Sequence, residues 1–226
     1  MRSVRLTLLM FFIINTDSLG QLNESDTIQF QIRIGVSGFR QTGNVDLGII
    51  RSKLDFVARL SNVLTFKTQN NTLYQEFNGF KADNDINSRN FLYYQSQNKI
   101  YPFAILYVQQ NFRRRVDSRI FSGLGLTWQI IQKKYHIVKL SASSVYEETK
   151  FSINTFNEPY YAGKNSINLW RPTTYINGEH KFEEGKITFH YTAYWQVGLD
   201  QVSNQRFQYE IGFNCHLFKA LSLTVQ

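Results

Sequence analysis

Cysteine, proline, charge and long apolar runs are all scarce in this chain. Among 226 residues there are one cysteine, Cys215, three prolines and only 19% charged side chains. A single cysteine excludes a disulfide framework and any multi-cysteine metal site. No run beyond the first twenty residues approaches the roughly 20 apolar positions of a membrane-spanning helix. A mean hydropathy of -0.32 therefore excludes a helical membrane protein. It does not exclude one built of strands, because a barrel whose strands alternate in polarity averages to near neutral. Aromatics, by contrast, are abundant: 19 Phe, 13 Tyr and 3 Trp make up 15% of the chain. That much core-forming material excludes a disordered or collagenous polypeptide. The formal net charge of +8 is compatible with acidic partners but argues little about function by itself.

The first twenty residues read as a secretory signal. Arg2 and Arg5 form a short basic start, Leu6 to Ile14 is apolar except for Thr7, and Ser18-Leu19-Gly20 supplies a small-residue cleavage site. The apolar stretch is too short for an anchor. Cleavage after Gly20 leaves Gln21 first, so lipid attachment at that position is excluded. Losing Arg2, Arg5 and Asp17 takes the net charge from +8 to +7.

Beyond the signal the hydrophobic period is two. Ile187, Phe189, Tyr191, Ala193, Trp195 and Val197 alternate with Thr188, His190, Thr192, Tyr194 and Gln196. Successive strand side chains point to opposite faces, so one face is apolar and the other polar for eleven residues. Phe207, Tyr209, Ile211, Phe213, Cys215 and Leu217 alternate in the same way with Gln208, Glu210, Gly212, Asn214 and His216. So do Ile28 to Val36 near the start, residues 51–60, 123–130 and 138–143. Phe103 to Val108 is apolar on both parities, so its register is unreadable, and Pro172 interrupts the ladder expected over 165–182. About ten strands emerge, and Leu223 begins what looks like an eleventh.

The connections sort by side. Alternate ones are tight: residues 60–62, 98–100, 133–135, 183–186 and 219–221. The others are longer and more polar: Lys81 to Asn87, Asn111 to Arg119, Glu147 to Asn165 and Asp200 to Gln205, with only Gln41 to Asn44 short. Short turns at one end and long loops at the other characterise outer-membrane barrels, whose spanning strands run to about 9–11 residues. A soluble lipocalin-like barrel also alternates, but its outward parity should be rich in Lys, Glu and Asp. Here the polar parity of the last two full strands is Thr, His, Tyr, Gln, Glu, Gly and Asn. That mild set suits a hydrated lumen, while the opposite parity carries aromatics near strand ends, as interfacial girdles do. Phe189, Tyr191, Trp195, Ile211 and Phe213 are therefore expected to face lipid, and His190, Thr192, Glu210, Asn214 and His216 the lumen.

Two short motifs carry a resemblance. The hairpin Gly35 to Asp46, with Gly43-Asn44 after a small-residue strand, resembles the opening of an uncharacterised bacterial family, a YdiY-like domain of unknown function. Its members are described as salt-induced outer-membrane proteins. The glycine-alternating Phe121-Ser122-Gly123-Leu124-Gly125-Leu126-Thr127-Trp128 resembles that family's central strand. The resemblance implies an antiparallel up-and-down transmembrane β-barrel of about 12 strands when complete, linked to envelope or salt stress. It implies no catalytic residues. Such barrels usually end on an aromatic residue, whereas this sequence ends on Gln226, so residues 21–226 are expected to be a barrel domain that is incomplete at its C-terminus.

Little catalytic chemistry is legible. None of the four histidines lies in the His-x-Ser setting of outer-membrane phospholipases, and there is no Gly-x-Ser-x-Gly. Glu147-Glu148 and Glu183-Glu184 fall in expected loops, where solvated charge is the default. No spacing points to a metal or other cofactor. Cys215 lies on the apolar parity and reads as a packed residue. The sequons Asn23-Glu24-Ser25 and Asn70-Asn71-Thr72 read as chance. One cluster stands out: Arg113, Arg114 and Arg115, with Arg119 close by, in an expected external loop. Guanidinium groups bind phosphate bidentately, and lipopolysaccharide bears phosphate; a solvated basic loop is the plainer alternative.

The sequence therefore predicts an exported outer-membrane β-barrel without enzymatic activity, a structural protein or narrow pore. Its partners are membrane lipid, lipopolysaccharide and the barrel assembly machinery, and export excludes nucleic acid. A barrel enzyme acting on lipid and a soluble periplasmic ligand-binding barrel are the alternatives.

Overall fold

The computed structural model describes residues 22–156, 159–218 and 221–225; the expected signal lies outside them, as do the side chains from His216 onward. The chain folds into eleven strands. They are β1 (Phe30–Gln41), β2 (Leu47–Arg59), β3 (Leu64–Phe77), β4 (Phe80–Tyr94), β5 (Ile100–Asn111) and β6 (Val116–Lys133). β7 (His136–Phe151), β8 (Ser166–Phe182), β9 (Ile187–Val197), β10 (Gln205–Phe218) and β11 (Leu221–Val225) complete the order. Each strand pairs antiparallel with its sequence neighbours, giving one all-β up-and-down sheet. Two short 3-10 turns, Pro159–Tyr161 and Glu183–Gly185, are its only helical elements among the described residues. The strand expected at Leu223 begins two residues earlier and pairs with β10 through Phe213 and Val225.

The sheet curls about one face. Residues of every strand from β3 to β10 line a common cavity of about 350 Å³. The burial pattern is inverted relative to a water-soluble domain. Among the described residues 37 large apolar side chains are exposed and 11 are buried, while 18 polar or charged residues are buried. Apolar exposure in continuous bands, such as Phe30, Ile32, Ile34 and Val36 along β1, places the apolar parity outside and the polar parity inside.

Several loop expectations are corrected. Lys81 to Asn87 is not a loop but the start of β4. The turn before it is Asn78-Gly79, both residues at positive φ (47° and 80°), the conformation that Asn-Gly supplies to two-residue hairpins. Asn111 to Arg119 shrinks to a turn at 112–115, which puts Arg119 inside β6. Glu147 and Glu148 are likewise not loop residues but the last part of β7, and only 152–165 connects to β8. In each case the ladder runs past the apolar belt, because backbone pairing needs no apolar side chains. Strands β1 to β10 accordingly span 11 to 18 residues, rather than the shorter bilayer-crossing length.

Two ambiguities are resolved by pairing. β5 turns Tyr101, Phe103 and Tyr107 inward and leaves Leu106 and Val108 exposed. Pro172 sits within β8 without breaking it, because residues 166–172 pair only with β7 and the β9 ladder starts at Thr173. The missing N–H therefore falls where β8 has no β9 partner.

Candidate functional site

Two charged clusters and a layer of aromatic rings fill the inside of the sheet. The first cluster lies at the end carrying the short turns 60–63, 95–99 and 134–135. There the segment before β1 folds inward and places Glu24, 5% exposed, between strands. Glu24 Oε2 accepts a hydrogen bond from Lys67 Nζ of β3 at 3.0 Å, and Oε1 accepts from Lys139 Nζ of β7 at 2.7 Å. Tyr101 OH of β5 donates to Oε1 at 2.8 Å, and Ser96 Oγ donates to the Glu24 carbonyl at 2.8 Å. Lys139 also donates to Asn23 Oδ1 (2.6 Å) and Ser25 Oγ (3.0 Å). Arg59 Nη2 donates to the Asp26 carbonyl at 2.8 Å. Burial alone would raise the Glu24 carboxyl, but the two ammonium groups beside it hold it well below the usual carboxylate range. The triplet Asn23-Glu24-Ser25 thus latches the segment before β1 onto β3, β5 and β7 through these hydrogen bonds.

Above the latch Tyr93, Tyr101 and Phe103 form a buried cluster, with ring centroids 5.7 and 5.8 Å from Tyr93. The glycine-alternating strand makes room for it. A Cβ on Gly125 would stand 2.5 Å from the Phe103 ring and 2.7 Å from the Ala142 carbonyl oxygen, and one on Gly123 would stand 2.7 Å from the Val145 Cα. The lumen side of β6 must therefore be bare where β5 and β7 close over it.

The second cluster lies toward the opposite end. Glu147 on β7, 1% exposed, pairs with three guanidinium groups: Arg119 of β6 (3.2 Å), Arg206 of β10 (2.8 Å) and Arg171 of β8. Arg206 is bidentate, with Nη1 and Nη2 donating to the two carboxylate oxygens. Arg171 also donates to the Asn204 carbonyl and side chain, at 3.0 and 2.8 Å. Asn204 Nδ2 donates to Tyr161 OH, which donates in turn to Asp200 at 2.8 Å. Burial, with Asp200 as acceptor, pushes the Tyr161 hydroxyl up to about 12.

Charge on the described cavity walls is one-sided, and the buried carboxylates Asp55 and Asp83 beside them are engaged by Arg33 and Lys53 and by Arg113. The walls of this cavity and a smaller one of about 270 Å³ beside Glu147 carry seven cations (Lys67, Arg89, Arg114, Arg119, Lys139, Arg171 and Arg206) against two carboxylates, Glu24 and Glu147. Both carboxylates are already shared among five of those cations.

The residues singled out from sequence are distributed as follows. Arg119 is corrected from an external loop to the interior, where Nε donates to Thr149 and Nη1 to Gln109, both at 3.0 Å. Arg113 is exposed and bound to Asp83 at 2.7 Å, Arg114 lines the mouth of the cavity, and Arg115 occupies the turn at φ 55°. Ile211, Phe213 and Trp195 are exposed, Phe189 and Tyr191 half-buried, and Tyr191 lies against Gly178. Asn214 is buried, His190 covers Gly212 from inside, Thr192 bonds Tyr175, and Glu210 lies opposite Thr192 but is exposed. The side chain of His216 lies outside the described residues. Cys215 is half-buried.

Sequence reasoning passed over Lys67, Lys139, Arg171 and Arg206, and read Glu24 as part of a chance sequon and Glu147 as a solvated loop carboxylate. The available signal was charge on the inward parity: Lys139 between Val138 and Leu140, and Arg171 beside Trp170, each interrupt an otherwise mild polar face.

No curated protein and no solved structure matches the chain. A family model described as "protein of unknown function, DUF481" matches residues 32–226. That match covers most of the sequence and nearly all of the sheet, and the chain belongs to this family.

Proposed function

We propose that the protein is an outer-membrane β-barrel, non-enzymatic, whose lumen is a narrow passage favouring anions and held shut at the short-turn end by its own N-terminal segment. The observation carrying this reading is the inverted burial: a belt of exposed apolar side chains around a buried polar and cationic interior. In water such a belt would far exceed the few hundred Å² of contiguous apolar surface that soluble monomers expose. In lipid it is the required outer surface. Anion preference follows from seven wall cations against two carboxylates. On this reading Arg113 to Arg115 stand at the outer headgroup level, where lipopolysaccharide phosphates are the available anions, and the barrel assembly machinery is the insertion partner.

Two measurements test the reading. Fractionation of cells expressing the full chain should recover the mature protein with outer membranes; recovery in the soluble periplasmic fraction would refute it. Purified protein in a planar bilayer under a KCl gradient should give a reversal potential of the sign set by chloride, and a cation-selective value would refute the assigned lumen.

A further inference from the structure

The surplus lumen charge is concentrated at one place. Tyr107 of β5 and Phe121 of β6 stack with centroids 5.0 Å apart on the cavity wall. Arg89 of β4 lies over Tyr107 at 5.5 Å, and Arg206 of β10 lies over Phe121 at 5.8 Å, so two guanidinium groups bracket one aromatic pair. Arg119 stands on the same strand as Phe121, and Arg114 lines the cavity from the turn above. Among the described residues Glu147 is the one carboxylate in these cavity walls at that level, and Arg119, Arg171 and Arg206 share it, leaving two positive charges uncompensated before Arg89 and Arg114 are counted. Among the described residues neither Arg89 nor Arg114 makes an ion pair. Asp83 and Asp85, at the loop end of β4, are engaged by Arg113 and by Asn111 and the Phe112 amide. Arg89, Arg119 and Arg206 are partly or wholly removed from water and Arg114 stands exposed beside them; cations at this density call for a counter-ion of matching charge. Planar guanidiniums, with Gln109 and Gln208 adding polar atoms to the wall, favour a multivalent oxyanion over a halide.

We propose that Arg89, Arg114, Arg119 and Arg206 form a binding site for a small, doubly charged oxyanion of the phosphate class inside the lumen. The proposal deepens the anion-passage reading and rests on it. Because the four side chains line the cavity, the ligand is a soluble phosphate rather than a lipid headgroup outside the wall.

The test is calorimetric titration of the folded mature protein in detergent micelles with inorganic phosphate, with chloride as the reference anion. A second arm adds a phosphate-bearing lipid, lipid A, to the micelles in phosphate-free buffer. Phosphate should bind saturably; R89Q and R114Q should each weaken it about tenfold and R89Q/R114Q about a hundredfold. Among the described residues neither is ion-paired, so heat-modifiable migration on gels should match the parent chain; a double variant that failed this check would leave the two single variants as the deciding comparison. Phosphate affinity unchanged in the variants would overturn the site. Phosphate affinity no better than chloride, in protein that still gives a chloride-selective reversal potential, would overturn the site while leaving the passage standing. Lipid A binding that is lost in the variants without free phosphate binding would assign these arginines to a headgroup and overturn the lumenal ligand.

Discussion

Glu24 is the residue whose loss should change behaviour most for the least structural damage. Its carboxylate is shared between Lys67 and Lys139, whose side chains are 9% and 3% exposed. Removing one partner of a buried pair typically costs about 3–5 kcal/mol, because the remaining charge is left without compensation. Ordering the segment 22–27 itself costs roughly 1–2 kcal/mol of backbone entropy per residue, so the latch has a narrow margin. At 1.4 kcal/mol per tenfold, Glu24→Gln should shift the shut-to-open equilibrium roughly 100- to 3,000-fold toward release. The β ladder does not depend on Glu24, so the sheet should remain intact. Single-channel recording should show higher open probability, and limited proteolysis should cut residues 22–27 while sparing β1 to β10. E24L/K67M/K139M, which removes all three charges together, should recover closure, since apolar replacement of a whole buried ion cluster is often neutral or stabilising. Unchanged conductance and unchanged protease protection in Glu24→Gln would refute the latch. The pH dependence has a definite sign. The folded carboxyl lies below its unfolded value near 4.3, so its contribution is complete above that value and is lost only as pH falls through the lower, folded one. Closure at pH 5 should therefore equal closure at pH 7.

Other substitutions probe the remaining features. Glu147→Gln strands Arg119, Arg171 and Arg206 together and should destabilise the folded protein by about 3–5 kcal/mol, seen as a lower temperature for loss of heat-modifiable gel migration. Gly125→Val should cost about 1–3 kcal/mol by overpacking; adding Phe103→Leu should recover only part, since the Ala142 carbonyl remains in the way. Leu124→Arg, at a position 71% exposed on the outer face of β6, should lower insertion into vesicles by the equivalent of about 2–4 kcal/mol at the bilayer midplane, whereas Thr192→Arg on the inner parity should insert normally and alter conductance.

Fold class was legible along the chain because a strand exposes its environment with period two. Runs such as Phe189, Tyr191 and Ala193 against His190, Thr192 and Tyr194 state both the element and its two faces without reference to any neighbour. Strand ends were less legible: polar residues such as Lys81 to Asn87 read as loop although the backbone ladder continues through them, and the local signal of Asn78-Gly79 was the better guide. The candidate site was legible only as inward parity. Which inward residues meet depends on curling the sheet, and no local pattern encodes that. Glu24 reaches Lys139 across 115 positions, and Arg206 reaches Glu147 across 59. Charge pairing between such distant positions is a property of the curled sheet's interior: burial makes each uncompensated charge costly, and only the three-dimensional arrangement determines which carboxylate compensates which cation. The same curvature turns the Gly123 and Gly125 alternation, visible as a motif, into space for Phe103 and Val145, a role that the motif alone does not disclose.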